Sequence, residues 1–495
     1  MKPYFWTLFV ALNLLVGTPA SLFADSPLLI GIAETDITPP EGFPMAGYYH
    51  ERLAKGARDP LKARAFVFMQ GDTRAALVTC DLTGIAYDLA SHVRNLAESK
   101  TGIPAEHIVL TASHSHTAPD YGRDLFDGLA ELKNGTPAAS TRYSNQLIDK
   151  LVEVISTAKA SARPVKIDAG SAEQKIPVSF NRRFVMKDGS VKTWMTLDNP
   201  NVVRAAGPID REIGIIVIRD ADGDQPLGTL TNFALHLDTV GGDLWSADYP
   251  YYIEQNIQNA LGKNVISLFG TGCCGDINHV NPALKDRNKT DYIGNALGET
   301  IVSALPGLSR VENPRFRVRS AVVSLPLTEV STAQAHHSRD VIAASRKGEQ
   351  VEFFEMVTAY KSIMIDQFLH QKPEKPASDY INWGLSHQLA GIGEQIPVHV
   401  QAMSLGGDVA IVTLPGEVFV ELGLAIKQAS PFKHTHVIEL SNAVETIYIP
   451  TRAAYAGGSY EVTNSAVQPG SGEMLAETAI RLLREIAEEE SAAAQ

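Results

Sequence analysis

Residues 107–120 read HIVLTASHSHTAPD. The run HIVL looks like a buried strand, and it gives out at two imidazoles, His114 and His116. On an extended backbone, side chains two apart point the same way, so both rings can face one spot. That spot lies at the carboxyl end of a strand, where open α/β sheets usually keep their chemistry. An isolated His-x-His is more often a pair of hydrogen-bonded loop histidines, so these two need partners from elsewhere in the chain.

Around this stretch the chain alternates strand and helix signals. LLIGIAETDITPP (28–40) reads as a strand ending in a Pro-Pro turn, and ARAFVFMQ and RAALVTCD as a hairpin around Gly71-Asp72. DLASHVRNLAESKTG (88–102) has helical spacing and a glycine stop, and a second helix at about 142–160 ends before Pro164. REIGIIVIRDADG and QPLGTLTNFALH form another hairpin, followed by the apolar strand NVISLFGTG (264–272). Residues 331–375 are polar and helical, an excursion lying over the core. VHVQAMSLGGDVAIVTLPGE is a third hairpin and VFVELGLAIKQ a helix. The terminal EMLAETAIRLLREIAEEE carries Leu475, Ala479, Leu482 and Ile486 on one stripe. No repeat, low-complexity tract or linker divides the chain. The expected fold is α/β of the mixed kind: one catalytic domain over 25–495, with a large mixed β-sheet core flanked by helices.

Composition narrows the function. With 495 residues, 44% hydrophobic and 20% charged, the chain is ordinary globular material. Its start is not: Lys2, the apolar YFWTLFVALNLLVG and then LFA at 22–24 read as a cleavable signal peptide over 1–24. The apolar part is shorter than the ~20 residues of a bilayer span, and no later segment supplies one, so a secreted or periplasmic protein without a transmembrane segment is expected. A net charge of −13 and the absence of a Lys/Arg cluster exclude nucleic acid as a partner. The same charge disfavours purely electrostatic docking on anionic membranes, leaving transient membrane-surface contact. Cys80, Cys273 and Cys274 are too few for a disulfide scaffold and read as buried small residues.

Other polar residues also stand where apolar strands stop. His236 ends TLTNFALH; Glu417 lies in TLPGEVFV, where Pro-Gly closes a strand; Tyr448 and Tyr460 sit in ETIYIPTRAAYAGGSYE. Singly, each has an ordinary structural explanation: a core histidine, a carboxylate at a helix start, a buried aromatic. Together they offer the N and O donors that zinc hydrolysis requires, with room for water. His434 and His436 in KHTHVIEL lead into a strand rather than out of one and read as solvated edge residues. His336 and His337 lie in the polar excursion without companions.

Six segments taken in order resemble the neutral/alkaline ceramidases, zinc amidases that cut the N-acyl bond of ceramide. They are GIAETDITPPEGFPMAGY (31–48), LTASHSHTAPD (110–120), FNRR (180–183), NFALH (232–236) with Asp248-Tyr249, GCCGDIN (272–278), and LPGE (414–417) with YIPTRAAYAGGSYE (448–461). The resemblance implies Zn2+ held by His114, His236, Glu417 and Tyr448, with His116 handling a proton. Arg182 and Tyr460 are then the residues on the amide oxygen, with Arg183 leaving the register open by one. A small-molecule or lipid N-acyl substrate follows, cleaved by water activated on the metal. Three departures bear on this. Asn278 in GDINHVN replaces the serine of the family's GDxSPN segment, which favours direct attack by water and leaves the amide to bond substrate or orient a ligand. SHSHTAPDYG replaces THTHSGPGG, so the pocket rim near Asp120 and Tyr121 should differ. Too few residues follow the SYE segment for the family's C-terminal immunoglobulin-like domain, which weakens ceramide itself as substrate. Other readings are a zinc esterase or deacylase for an unrelated small substrate, and a non-catalytic binding protein that keeps the fold.

Overall fold

The computed structural model describes residues 26–136, 139–284, 287–370 and 386–494, and in it one order of elements occurs three times. In each unit three antiparallel strands are followed by a helix, a fourth strand parallel to the third, and a further helix. The first unit takes Leu29–Asp36, Lys62–Gln70 and Thr73–Cys80, helix Tyr87–Thr101, strand Ile108–Ala112 and helix Tyr143–Ala160. The second takes Arg163–Glu173, Glu212–Asp220 and Pro226–Phe233, helix Tyr249–Leu261, strand Ile266–Thr271 and helix Thr290–Ala304. The third takes Arg317–Pro326, Gln395–Ser404 and Val409–Thr413, helix Val420–Ala429, strand His434–Ile438 and helix Ser471–Ala494. The hairpins read from the sequence are the second and third strands of the three units. The α/β class with a large mixed sheet holds; the repetition is one of topology that the residues themselves do not repeat.

Units one and two share a nine-stranded sheet, joined only where Leu29 faces Pro164 and Ile30 faces Arg163. Unit three has a four-stranded sheet of its own. All three units press one face of their strands into a common core that contains Phe66, Phe68, Ile216, Ile218, Met403 and Ile411. Their other faces pack on helices: Val67 and Val78 in unit one, Ile215 and Val217 in unit two, Ala410 and Val412 in unit three. Strict alternation with both faces buried explains why these strands read as nearly continuous apolar runs. Truncating a large aliphatic side chain in the common core should cost about 2–5 kcal/mol.

Where the sheets meet, small residues make the room. A Cβ on Gly214 would lie 2.1 Å from Nδ1 of His436, so the bare backbone of one sheet admits the imidazole of another. This corrects the expectation for His436, which is 2% exposed, with burial pushing its pKa down to about 3. A strand-entry position is not an edge when a second sheet covers it. Cys80, Cys273 and Cys274 are free and buried, as their scarcity suggested. Leu475, Ala479, Leu482 and Ile486 are all buried along the last helix. The segment read as a signal peptide, 1–24, lies outside the described residues, and no helix among the described residues is long and apolar enough to cross a membrane.

The topology also places the site. Within a unit the first, third and fourth strands run the same way and finish at one edge, so the connections that follow them all leave there. The excursion read at 331–375 joins the first and second strands of unit three and forms helices Thr332–Arg346 and Phe353–His370.

Candidate active site

His114 follows the fourth strand of unit one and takes a φ of 78°, in the left-handed region that costs a non-glycine residue of order 1 kcal/mol or more. The turn brings its Nδ1 to 2.6 Å from the carbonyl of Thr83, beyond the third strand of the same unit. A carbonyl only accepts, so Nδ1 carries the proton and Nε2 is left with its lone pair. His236 follows the third strand of unit two and Glu417 that of unit three. Glu417–Val418 pairs in parallel with Tyr448–Ile449, with Glu417 opposite Tyr448. Four ends from three units thus converge.

The geometry is that of a metal cradle. His114 Nε2 lies 3.1 Å from His236 Nε2, 3.3 Å from His116 Nε2 and 3.4 Å from Glu417 Oε2. A tetrahedral zinc with ~2.0–2.1 Å bonds spaces its donors about 3.3 Å apart. The three histidines form a group whose ligating atoms all lie within 4.8 Å of one another. Glu417 Oε2 and His236 Nδ1 are buried with no hydrogen-bond partner. Facing lone pairs and an unpaired carboxylate oxygen, nearly dry, are costly without a cation between them. The residues fit a metal ion of the kind the sequence implied.

Charge follows burial. Burial opposes a proton on His114, but Glu417 and the Thr83 carbonyl outweigh it and raise the pKa. His236 is held well below its usual value by burial and by His114. Burial and His114 push His116 down to about 4, so its ring is neutral at pH 7. Burial resists the charge of Glu417, and His114 and Arg182 nevertheless hold it below the usual carboxylate range.

Both arginines of FNRR are buried, sharing Glu461 through Nε of Arg182 at 2.9 Å and Nη1 of Arg183 at 2.7 Å. They then part. Arg182 Nη2 donates to Tyr448 Oη at 3.0 Å and to the Gly275 carbonyl at 2.7 Å, on the side of the donor cluster. Arg183 turns away to the Gly458 carbonyl and the Phe419 ring. Of the two, Arg182 is the one on the side of the donor cluster. Tyr460 Oη is 3.3 Å from Tyr49 Oη, which accepts from Asn464 Nδ2 at 2.9 Å.

A cavity opens above the cluster, lined by His114, His116, Glu417, Tyr448 and Tyr460 among others. The connections between first and second strands supply its aromatic side, or roof: Tyr49 from unit one and Tyr360 from unit three line it, and behind them Trp194 from unit two and Phe353 from unit three pack on Tyr460 and Tyr49. Trp194 and Tyr460 have ring centroids 4.7 Å apart, and Phe353 stacks on Tyr460 at 6.0 Å.

Asn278 and Tyr121 stand as follows. Asn278 pairs with Phe180 in a two-residue bridge, and its Oδ1 accepts from Val280 N at 3.2 Å. Its segment reaches the site through the Gly275 carbonyl instead. Tyr121, expected at the rim, is buried and donates to the Gly84 carbonyl at 2.8 Å. His116, given proton transfer by resemblance, stands inside the donor cluster itself. The sequence reading missed Thr83, Tyr49 and Glu461. Glu461 stood inside a quoted segment, but only the doubled arginine hinted that a buried acid would be needed.

Residues 28–277 match the family described as neutral/alkaline non-lysosomal ceramidase, N-terminal. The crystal structure of neutral ceramidase from Pseudomonas aeruginosa aligns with a TM-score of 0.66 at 19% identity, over 94% of this chain and 75% of that one. A structure described as ceramidase complexed with C2 aligns with a TM-score of 0.65 at 19% identity, over 94% of this chain and 76% of its own. At this identity the structural likeness speaks for the fold. The family match spans half the sequence, and the chain belongs to the neutral/alkaline non-lysosomal ceramidase family.

Proposed function

From that membership we propose that this protein is a zinc-dependent amidohydrolase cleaving the N-acyl amide bond of ceramide or a related N-acyl lipid, by direct attack of water. The observation that carries the reading is the convergence of His114, His116, His236 and Glu417 from three units on one point beneath a cavity with an aromatic roof. When bound there, zinc supplies a Lewis acid that makes water acidic enough to attack at neutral pH.

The chain's own residues do the rest. His114, His236, Glu417 and Tyr448 hold the ion, the phenol being the weakest donor. His116, neutral at pH 7, accepts a proton from the attacking water and returns it to the leaving amine. Arg182 and Tyr460 stabilise the oxygen of the amide as charge develops on it. Tyr49 accepts from Asn464, and when its O–H donates to the Tyr460 oxygen, the Tyr460 O–H is left for the substrate. Asn278 offers no nucleophile, and the scheme assigns none, so no acyl-enzyme forms in it. The apolar stretch before Asp25 supports export from the cytoplasm.

Purified protein incubated with ceramides, N-acyl ethanolamines and N-acyl amino acids, with and without a chelator, tests the reading. Release of fatty acid that stops with the chelator and returns with zinc supports it. Absence of release from every amide overturns it. Hydroxylamine diverting product to an acyl hydroxamate at constant turnover would replace direct attack by an acyl-enzyme.

A further inference from the structure

Lys361 lines the same cavity as His114, His116 and Glu417, on the face of Phe353–His370 that also presents Tyr360 and Met364. Among the described residues its ammonium has no ion pair. Among the described residues, Arg182 is committed to Glu461, Tyr448 and Gly275, and Arg52 to the carbonyls of His116 and Gly242. Burial lowers the pKa of Lys361. A lysine half-withdrawn from water with no counter-ion is costly unless something else brings one. In a chain with a net charge of −13, an unmatched cation over the reaction centre is also where an anion would be drawn.

We propose that Lys361 is a specificity residue and that the preferred substrate is an N-acyl amide carrying a carboxylate or similar anion, as in an N-acyl amino acid. The proposal rests on the amide-hydrolase reading and narrows it. The acyl portion of an N-acyl lipid is hydrocarbon, so the charge belongs to the amine portion. That portion reaches from the cradle toward Lys361.

The test compares N-dodecanoylglycine with its neutral counterpart N-dodecanoylethanolamine, on the full-length zinc-loaded protein and on Lys361→Met and Lys361→Arg. Hydrolysis and equilibrium binding are both measured. The wild type should favour the glycine conjugate by about tenfold or more in kcat/KM and in Kd, as a charge-assisted contact allows. Lys361→Met should abolish that ratio chiefly through KM, and Lys361→Arg should keep most of it. Equal handling of the two compounds by the wild type overturns the proposal, as does failure to bind either. A preference that survives in Lys361→Met belongs to the metal and overturns it too. The two readings fail separately: lysine-dependent binding without hydrolysis leaves the anion site standing and removes the hydrolase. Hydrolysis that is indifferent to Lys361 does the reverse.

Discussion

The floor and the roof of the cavity are built on opposite terms. The floor, with His114, His236, Glu417, Arg182 and Glu461, is at most 4% exposed, and its His114, His236 and Glu417 stand just past strand ends of the three units. The roof leaves Trp194 at 48% and Phe353 at 38% exposed, and comes from the long connections between first and second strands. A group that must hold a metal and stabilise charge needs fixed partners and little water, and strand ends supply both. A group that only selects what enters can ride on excursions whose sequences vary without disturbing the sheets. Chemistry should therefore be lost by floor substitutions, and selectivity shifted by roof substitutions.

The largest effects are expected at the metal donors. Glu417→Ala or His114→Ala should leave amide hydrolysis at background, with the fold retained by circular dichroism. His116→Ala should keep zinc and lose about 10²–10⁴ in kcat, the usual range for proton transfer. Loss of the metal as well would make His116 a donor and enlarge the floor. Next comes Glu461→Gln, which leaves two buried guanidiniums short of one carboxylate. Breaking a buried ion pair costs about 3–5 kcal/mol, seen as a fall in Tm and in denaturant midpoint. No loss of stability would mean that the arginines find other partners and that the floor is less fixed than it looks. The smallest effect belongs to the roof: Phe353→Ala should change KM for a long-chain amide several-fold with kcat within about twofold, the pattern of lost uniform binding. A fall in kcat instead would join the roof to the chemistry and break the comparison.

How far the sequence revealed this arrangement depends on the range of the interaction. Strand alternation, the three hairpin turns and the glycine stop after Thr101 are local, and they gave the elements nearly to their ends. The repeated unit was hidden because it consists of strand order, which quite different residues such as ALVTC and TLTNF satisfy equally. His114, His236 and Glu417 were legible as polar residues just past apolar strands, and their order along the chain matched a family. That Gly214 opens a sheet for His436, or that Glu461 neutralises Arg182 and Arg183 together, depends on contacts more than 200 residues apart, which no local pattern records.

The most direct test of the account is zinc content, measured by elemental analysis on wild type and His236→Ala purified identically. The account predicts one zinc per chain in the wild type and at most a small fraction of that in the variant, because a single lost imidazole leaves too few strong donors in the floor. Full occupancy in His236→Ala, or a wild type that hydrolyses its amide with no metal bound, would contradict it.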